Sequence, residues 1–489
     1  MIFVCVQEEK KAHLKGSVTV YMALCLLIML SLVLTLLEGA RVRGAKLDAH
    51  LAAQAGADSV FAEYQRELLD IYDIFGLDAS YGASNFDICV PADRMEKFIT
   101  DNLSGQQDAV SLFPQVLSGV EISSYELLTD ESGALFYDQT VNYMESSAAA
   151  EALTSLLKKA SQKSEEYDEE ARSASEEAEK ARESLNDESS YVSEDESEVT
   201  EEEKEAAEAV TDEQKGIIDT VKAMKDKGVL ALVGVENVSE KKTDLSEILS
   251  HRELQVGDNT GTKNSYSVTK SAFQRALFQA YMSEKLSDYV SDKGNTALDY
   301  ELEYCFAGCA SDRENLAKTV EALLIMREGF NFAYLCTDEE KLNEARIIAI
   351  AIAGVLALPS LIAAIQYGII AAWAFKDSVE DVKTLLSGGK VSLIKNSLSD
   401  EDAIKLDYTL YVQLLLALKE RNTLVMRTMD MVEQDIRTYD YCSNFMLDHV
   451  IGGASWEADF TGGDVFVNVF KDMGAFSSEY TAQGSFYYQ

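Results

Sequence analysis

The sequence predicts a helix-rich α+β chain mounted on one N-terminal apolar helix, and three observations predict it. Only three prolines interrupt 489 residues, and Ala, Leu, Glu and Lys dominate long tracts, which favours helix. An uncharged run, Val18 to Leu37, opens the chain. Strand-like segments lie near both ends: "SNFDICV" and "GVEISSYELL" before residue 130, and three short candidates within "ASWEADFTGGDVFVNVFKDMGAFSSEYTAQGSFYYQ". Hydrophobic residues make up 47% of the chain, enough for a substantial core. A formal net charge of −41 repels phosphate backbones, so nucleic acid is not an expected partner.

Residues 1–16 form a basic leader or cytoplasmic tail, and residues 17–80 a transmembrane and stem helix. Val18 to Leu37 is about 20 residues long, which at about 1.5 Å per residue matches a hydrocarbon layer of roughly 30 Å. The run ends in "LLEGARVRG" rather than an A-x-A-like cleavage site, so the helix is expected to stay as a single-pass anchor. Lys10, Lys11 and Lys15 precede it and Arg41, Arg43 and Lys46 follow it, a tie in flanking charge. A short tail and a large acidic body favour tail in and body outside the cytoplasm. Small residues at Ala45, Ala49, Ala52, Gly56 and Ala57 continue the stem. Glu38 and Arg41, at i and i+3, form a candidate stem or interface pair at the bilayer edge, with a snorkelling pair of no function as the plainer alternative.

Residues 81–140 read as a small α/β segment with a helix near Asp93 to Asn102. Residues 141–228 read as an acidic helical hairpin arm. Its apolar stripe runs Leu153, Leu157, Ala160 and onward to Leu185, and resumes at Val210, Gln214, Ile217, Val221 and Met224 after a capping box at Thr200. Glu165 to Glu213 carries roughly half of the net charge, a density that holds such an arm extended. Residues 229–266 are a polar connection containing "GDNTGTKNS", 267–450 a helical core with further capping boxes at Ser311 ("SDRE") and Thr337 ("TDEE"), and 451–489 a C-terminal β segment.

The apolar run Ile347 to Phe375 is long enough to span a membrane, but it breaks naturally at Pro359 into two core-sized helices. A second crossing would separate the C-terminal strands from the strands before residue 130. The buried pair is therefore favoured, and the two ends of the body are expected to meet in one sheet.

Motifs that carry chemistry are scarce. The histidines His13, His50, His251 and His449 are scattered, no Walker-type loop occurs, and "SGGKVS" at Ser387 reads as a turn after a helix. Cys305 and Cys309 are one residue too far apart for a redox or zinc CxxC and read as small core side chains. Glu301 and Glu303 could imitate glycosidase carboxylates, as could many others among 84 acidic residues. No catalytic, metal-ligating or cofactor-binding residue is assigned, no cofactor is expected, and the chain is expected not to be an enzyme. Tyr480 and "SFYYQ" offer either cross-strand packing or, less favoured, an exposed recognition edge.

"KGSVTVYMALCLLIMLSLVLTLLEGAR" resembles the N-terminal segment of TadE/TadG-like pilus proteins, in which a basic leader ends in glycine before a hydrophobic helix. The resemblance implies Gly16 as the last leader residue and Ser17 as the first mature one. The fifth mature position, usually Glu in pilin-like subunits, is Tyr21 here, and whether the leader is cleaved stays open. "AEYQRELLDIYDIFGLD", "SDRENLAKTVEALLIMREGFNFAYL" and "IIAAWAFKDSVEDVKTLLSGGKVSLIKN" resemble an uncharacterised family of large membrane-anchored proteins of Gram-positive anaerobes, encoded near Tad (Flp) pilus genes. That likeness implies a non-enzymatic, pseudopilin-like or assembly role, with pilus or inner-membrane assembly proteins as partners and homo-oligomerisation through the stem helix. The residues alone leave another reading open, a cell-surface binding protein that uses an acidic arm and is unrelated to pili.

Overall fold

The computed structural model describes residues 9–104, 115–147, 199–258, 272–356, 361–393, 405–462 and 479–488. The first helix of the expected arm, Pro359 and the candidate strand "DVFVNVF" lie outside the described residues. In chain order the elements are α1 (Glu9–Phe61), α2 (Arg66–Tyr72), β1 (Leu77–Asp78), α3 (Cys89–Ser104), β2 (Gln115–Leu127) and α4 (Asp130–Glu145). Four short helices follow, α5 (Glu201–Glu208), α6 (Asp212–Lys215), α7 (Ile217–Lys225) and α8 (Val229–Leu232). The helical core comprises α9 (Ala272–Lys285), α10 (Glu301–Ala307), α11 (Asp312–Thr337), α12 (Glu339–Leu356) and α13 (Ile362–Leu386). Then come β3 (Val391–Ser392), β4 (Lys405–Leu406), α14 (Tyr408–Ala417), α15 (Arg421–Arg437), β5 (Val450–Gly462) and β6 (Glu479–Tyr487). The chain is α+β and helix-rich.

The two ends of the body meet in one antiparallel sheet. β5 is its central strand, with β2 along one edge from Gln115↔Gly462 to Leu127↔Ile451. On the other edge lie β6, from Gly453↔Tyr487 to Thr461↔Glu479, and the short β1. The two-residue alternation of a strand sends Ala454, Trp456, Ala458 and Phe460 inward, while Asp459 and Thr461 face out. Of the three short strands expected in the C-terminal stretch, the first and last are formed, "ASWEADF" within the longer β5 and "EYTAQGSFY" as β6, while the middle one lies outside the described residues. Gly484 sits opposite Trp456, whose ring occupies the space a Cβ would need.

The run around Pro359 folds as two core helices. Lys341 lies over the ring of Trp373 while Ile350 clusters with Ile362, so α12 and α13 run antiparallel. Arg327 of α11 pairs with Asp381 of α13, and Leu335 and Cys336 share a cluster with Ile369 and Ile370, so α11 is also antiparallel to α13. α4, α9, α10, α11, α13, α14 and α15 enclose the main core around Phe136, Phe278, Tyr281, Leu323, Tyr411 and Val432.

Several expectations need correction. The stem helix ends at Phe61 rather than near residue 80; the chain turns there and α2 follows. "SNFDICV" is not a strand: the Asp87 carboxylate accepts the Cys89 N–H at 2.9 Å and Pro91 occupies the first turn of α3, so helix initiation overrides the alternating pattern. The second half of the expected arm is neither continuous nor projecting. The Thr200 capping box is formed, but a second box, Thr211 with Gln214, restarts the helix, and Gly216 breaks it again. Ala207 and Val221 are buried against the body, and Glu203 pairs with Arg346 of α12 at 2.9 Å. The "polar connection" buries Ile248 and Leu249 in the main core. Ser311 caps α11 as expected, whereas α12 is capped by Asp338, not Thr337, through the N–H groups of Glu340 and Lys341.

Candidate functional site: the stem helix on the sheet

α1 is one helix with two environments. From Val18 to Leu37 its apolar side chains face outward all round, and among the described residues it is the one helix long and apolar enough to cross a membrane. At Glu38 the character changes. Arg41 Nε donates to both carboxylate oxygens of Glu38 at 3.0 Å and its terminal nitrogen donates at 2.5 Å, and both residues are buried. The pair predicted by the i, i+3 spacing therefore forms within one helix. Gly16 and Ser17 lie in the same unbroken helix, without a break at the expected leader boundary.

Beyond Arg41 a row at every fourth position, Ala45, Ala49, Ala53 and Ala57, is buried against the sheet together with Val60 and Phe61. The side chains are small because the backbones come close. At Gly56 a Cβ would fall 2.5 Å from Cγ1 of Ile99 on α3. α3 runs antiparallel to α1, held at its start by Arg94, which pairs with Glu63 and lies over the ring of Tyr81. That guanidinium holds the Glu63 carboxyl below its ordinary range, and burial beside Glu63 raises the Tyr81 phenol.

The sheet is fastened to α1 at both ends. Near the span, Gln115 donates to Asp48 at 2.7 Å, Tyr480 bonds to Gln115, and Lys46 lies over the Tyr480 ring. At the far end Phe486 stacks on Phe61 with ring centroids 4.3 Å apart, and the buried Tyr488 donates its hydroxyl to the Phe61 carbonyl. The C-terminal aromatics thus follow the packing reading rather than the exposed-edge reading.

Inside the helical body lie charged groups that sequence reasoning did not single out. Arg327, fully buried, donates to Asp381, to the carbonyls of Ser392 and Leu393 and to Tyr411, tying α11, α13, β3 and α14 together. Arg252 makes a two-pronged pair with Glu433 at 2.5 and 2.6 Å and reaches Asp448 at 2.5 Å. Glu301 and Glu303, noted as possible acid–base residues, are both fully buried on α10. Burial, and next to it the facing Asp435, push the Glu301 carboxyl well above its ordinary range. Asp435 in turn accepts from Tyr72 and from the Ala297 N–H. Burial and Asp288 push Glu303 up to about 8. These carboxyls have no solvent access and stitch helices together. Cys305 is buried and Cys309 half-buried, both free thiols. Among the described residues no group of three or more His, Cys, Asp or Glu side chains is disposed to hold a metal ion.

A family model matches residues 207–462, just over half of the chain, from α5 to the end of β5. The chain belongs to DUF5702, a family of unknown function. No curated protein and no solved structure matches it. The DUF5702 stretch contains the charged groups Arg252, Glu301, Glu303, Arg327, Asp381, Glu433 and Asp435, while α1, β1, β2 and β6 lie outside it.

Proposed function

We propose that this chain is a non-enzymatic structural or assembly protein of a Tad-type pilus system, anchored in the cell membrane by Val18 to Leu37 with its body outside the cytoplasm. One observation carries the anchoring part of the reading: a single helix has an exposed apolar half and a second half that is an integral part of the body's core. An anchor built this way fixes the body at the bilayer surface, a geometry that suits a subunit or scaffold. The pilus association rests on the likeness of the N-terminal segment to TadE/TadG-like proteins. Partners are then pilins or inner-membrane assembly proteins.

Protease treatment of intact cells carrying a C-terminal tag tests the topology: cleavage is expected, and protection would overturn the body-out arrangement. The N-terminus of the protein recovered from cells tests the pilin-type part. A chain beginning at Ser17 supports leader processing, and one beginning at Met1 leaves an uncleaved anchor. Co-isolation with Tad assembly proteins from detergent-solubilised membranes is expected, and its absence removes the pilus assignment.

A further inference from the structure

The sheet covers only one side of α1, and the opposite side stays apolar past the membrane. At about 100° per residue, the buried row Ala45, Ala49, Ala53 and Ala57 lies about half a turn from the row Val33, Leu37, Ala40, Gly44, Leu47 and Leu51. That second row advances by alternating steps of four and three, the spacing of a two-helix seam. Leu47 and Leu51 are 61% and 58% exposed, although they lie beyond the apolar run and outside the hydrocarbon layer. Lipid cannot account for them.

From these positions we propose that the outer stripe of α1 is a homodimer seam, occupied by the same stripe of a second copy running parallel to it. This rests on the membrane-anchor reading, since two copies inserted in the same sense in one bilayer can meet only in parallel. In a parallel seam with Gly44 and Leu51 as one set of core positions and Ala40 and Leu47 as the other, the flanking position at 43 faces position 48 of the partner helix. Those residues are Arg43 and Asp48, of opposite charge, and symmetry makes the pair twice. Arg43 is exposed and has no ion pair among the described residues; Asp48 uses one oxygen for Gln115. Two helices meeting at Ala40 and Gly44 can approach closely, and with the sheet on the far side of each helix the two bodies point away from the seam. The next core positions are Gln54 and then Asp58, which would set two carboxylates face to face, so the seam ends near Gln54, which donates to Asp58 within its own helix.

One introduced cysteine at a time, at 46, 47 or 51, in the full-length chain with Cys5, Cys25, Cys89 and Cys309 replaced by serine and only the buried Cys305, Cys336 and Cys442 kept, tests the seam after reconstitution into phospholipid vesicles. Oxidation should cross-link Leu47→Cys and Leu51→Cys at least tenfold faster than Lys46→Cys. Equal rates at all three, or no dimer from chain that floats with the vesicles, overturns the seam. Chain that does not float with the vesicles fails the anchor reading instead. Arg43→Glu should weaken the dimer roughly fivefold, the size of two exposed ion pairs, and adding Asp48→Lys should restore it. A double variant no better than Arg43→Glu alone overturns the parallel register.

Discussion

Glu303→Gln tests whether burial holds a proton on the Glu303 carboxyl. Glu303 is fully buried; one oxygen accepts from the Tyr408 hydroxyl at 2.6 Å and the Tyr289 N–H at 3.0 Å, while the other has no partner. With Asp288 close by, the carboxyl is pushed up to about 8. In the unfolded chain it titrates near 4.5. Between those values the folded protein binds more protons at this site than the unfolded one, so its contribution falls as pH rises and levels off above about 8. At about 1.4 kcal/mol per pH unit, on the order of 3 kcal/mol is lost between pH 4.5 and pH 7. Gln keeps the acceptor for both donors and cannot ionise. Urea unfolding of the detergent-solubilised full chain, followed by the fluorescence of Trp373 and Trp456, should show the variant gaining on the wild type by about 3 kcal/mol from pH 4.5 to pH 7. Comparing the two profiles removes the contributions of other raised carboxyls such as Glu126 and Asp430. Parallel profiles would sink the reasoning, since they would mean that Glu303 is solvated or neutralised by a cation.

Arg327→Ala takes the buried guanidinium away from Asp381 and from the carbonyls of Ser392 and Leu393, of which Ser392 keeps the Tyr411 hydroxyl at 3.2 Å; a loss of about 3–5 kcal/mol in the same unfolding assay is expected. Gly56→Ala drives a methyl into Ile99 and should cost about 1–3 kcal/mol, with partial recovery in the double variant carrying Ile99→Val. Deleting Ser485 to Gln489 removes the Phe486 stack and the Tyr488 anchor on Phe61, so the sheet end should loosen, visible as faster amide exchange in β5 and the last turns of α1. In the native protein, a membrane-impermeant thiol reagent should label Cys89 rapidly and leave Cys305 and Cys336 untouched until the chain is unfolded.

Features set by local chemistry were legible in the sequence. The span, the caps at Thr200 and Ser311, the division of the second apolar run into two helices and the alternating face of β5 each depend on residues within a few positions of one another. The partnership of "GVEISSYELL" with the C-terminal strand was legible for another reason: a strand edge needs a partner, and one fold could supply it. The second Thr box, "TDEQ" at Thr211, was equally readable, but an apolar stripe running through it suggested one continuous helix. What stayed hidden depends on contacts far along the chain. Arg327 sits in an apolar-periodic helix where a solvent-facing arginine is the ordinary case; only Asp381, Ser392 and Tyr411, distant in sequence, make its burial possible. The small residues of α1 were readable as a continuing stem, but not the neighbours that pack on them, the chain's own sheet and α3.

The DUF5702 match and the sheet divide the chain differently, and the physics favours the sheet as the boundary. Residues 207–462 include β5, the strand on which β1, β2 and β6 all depend, yet none of those three strands lies within the match. Cut out alone, β5 would present both hydrogen-bonding edges and the inward row Ala454, Trp456, Ala458 and Phe460 to water, an arrangement that invites aggregation. The helical body therefore ends in a strand that is complete only when the N-terminal segment folds over it. Because α1 supplies both the apolar run and the cover for β5, closing the sheet places the body's core directly against the membrane helix. A perturbation that loosens Ala49, Ala53 or Gly56 consequently acts on anchor and body together.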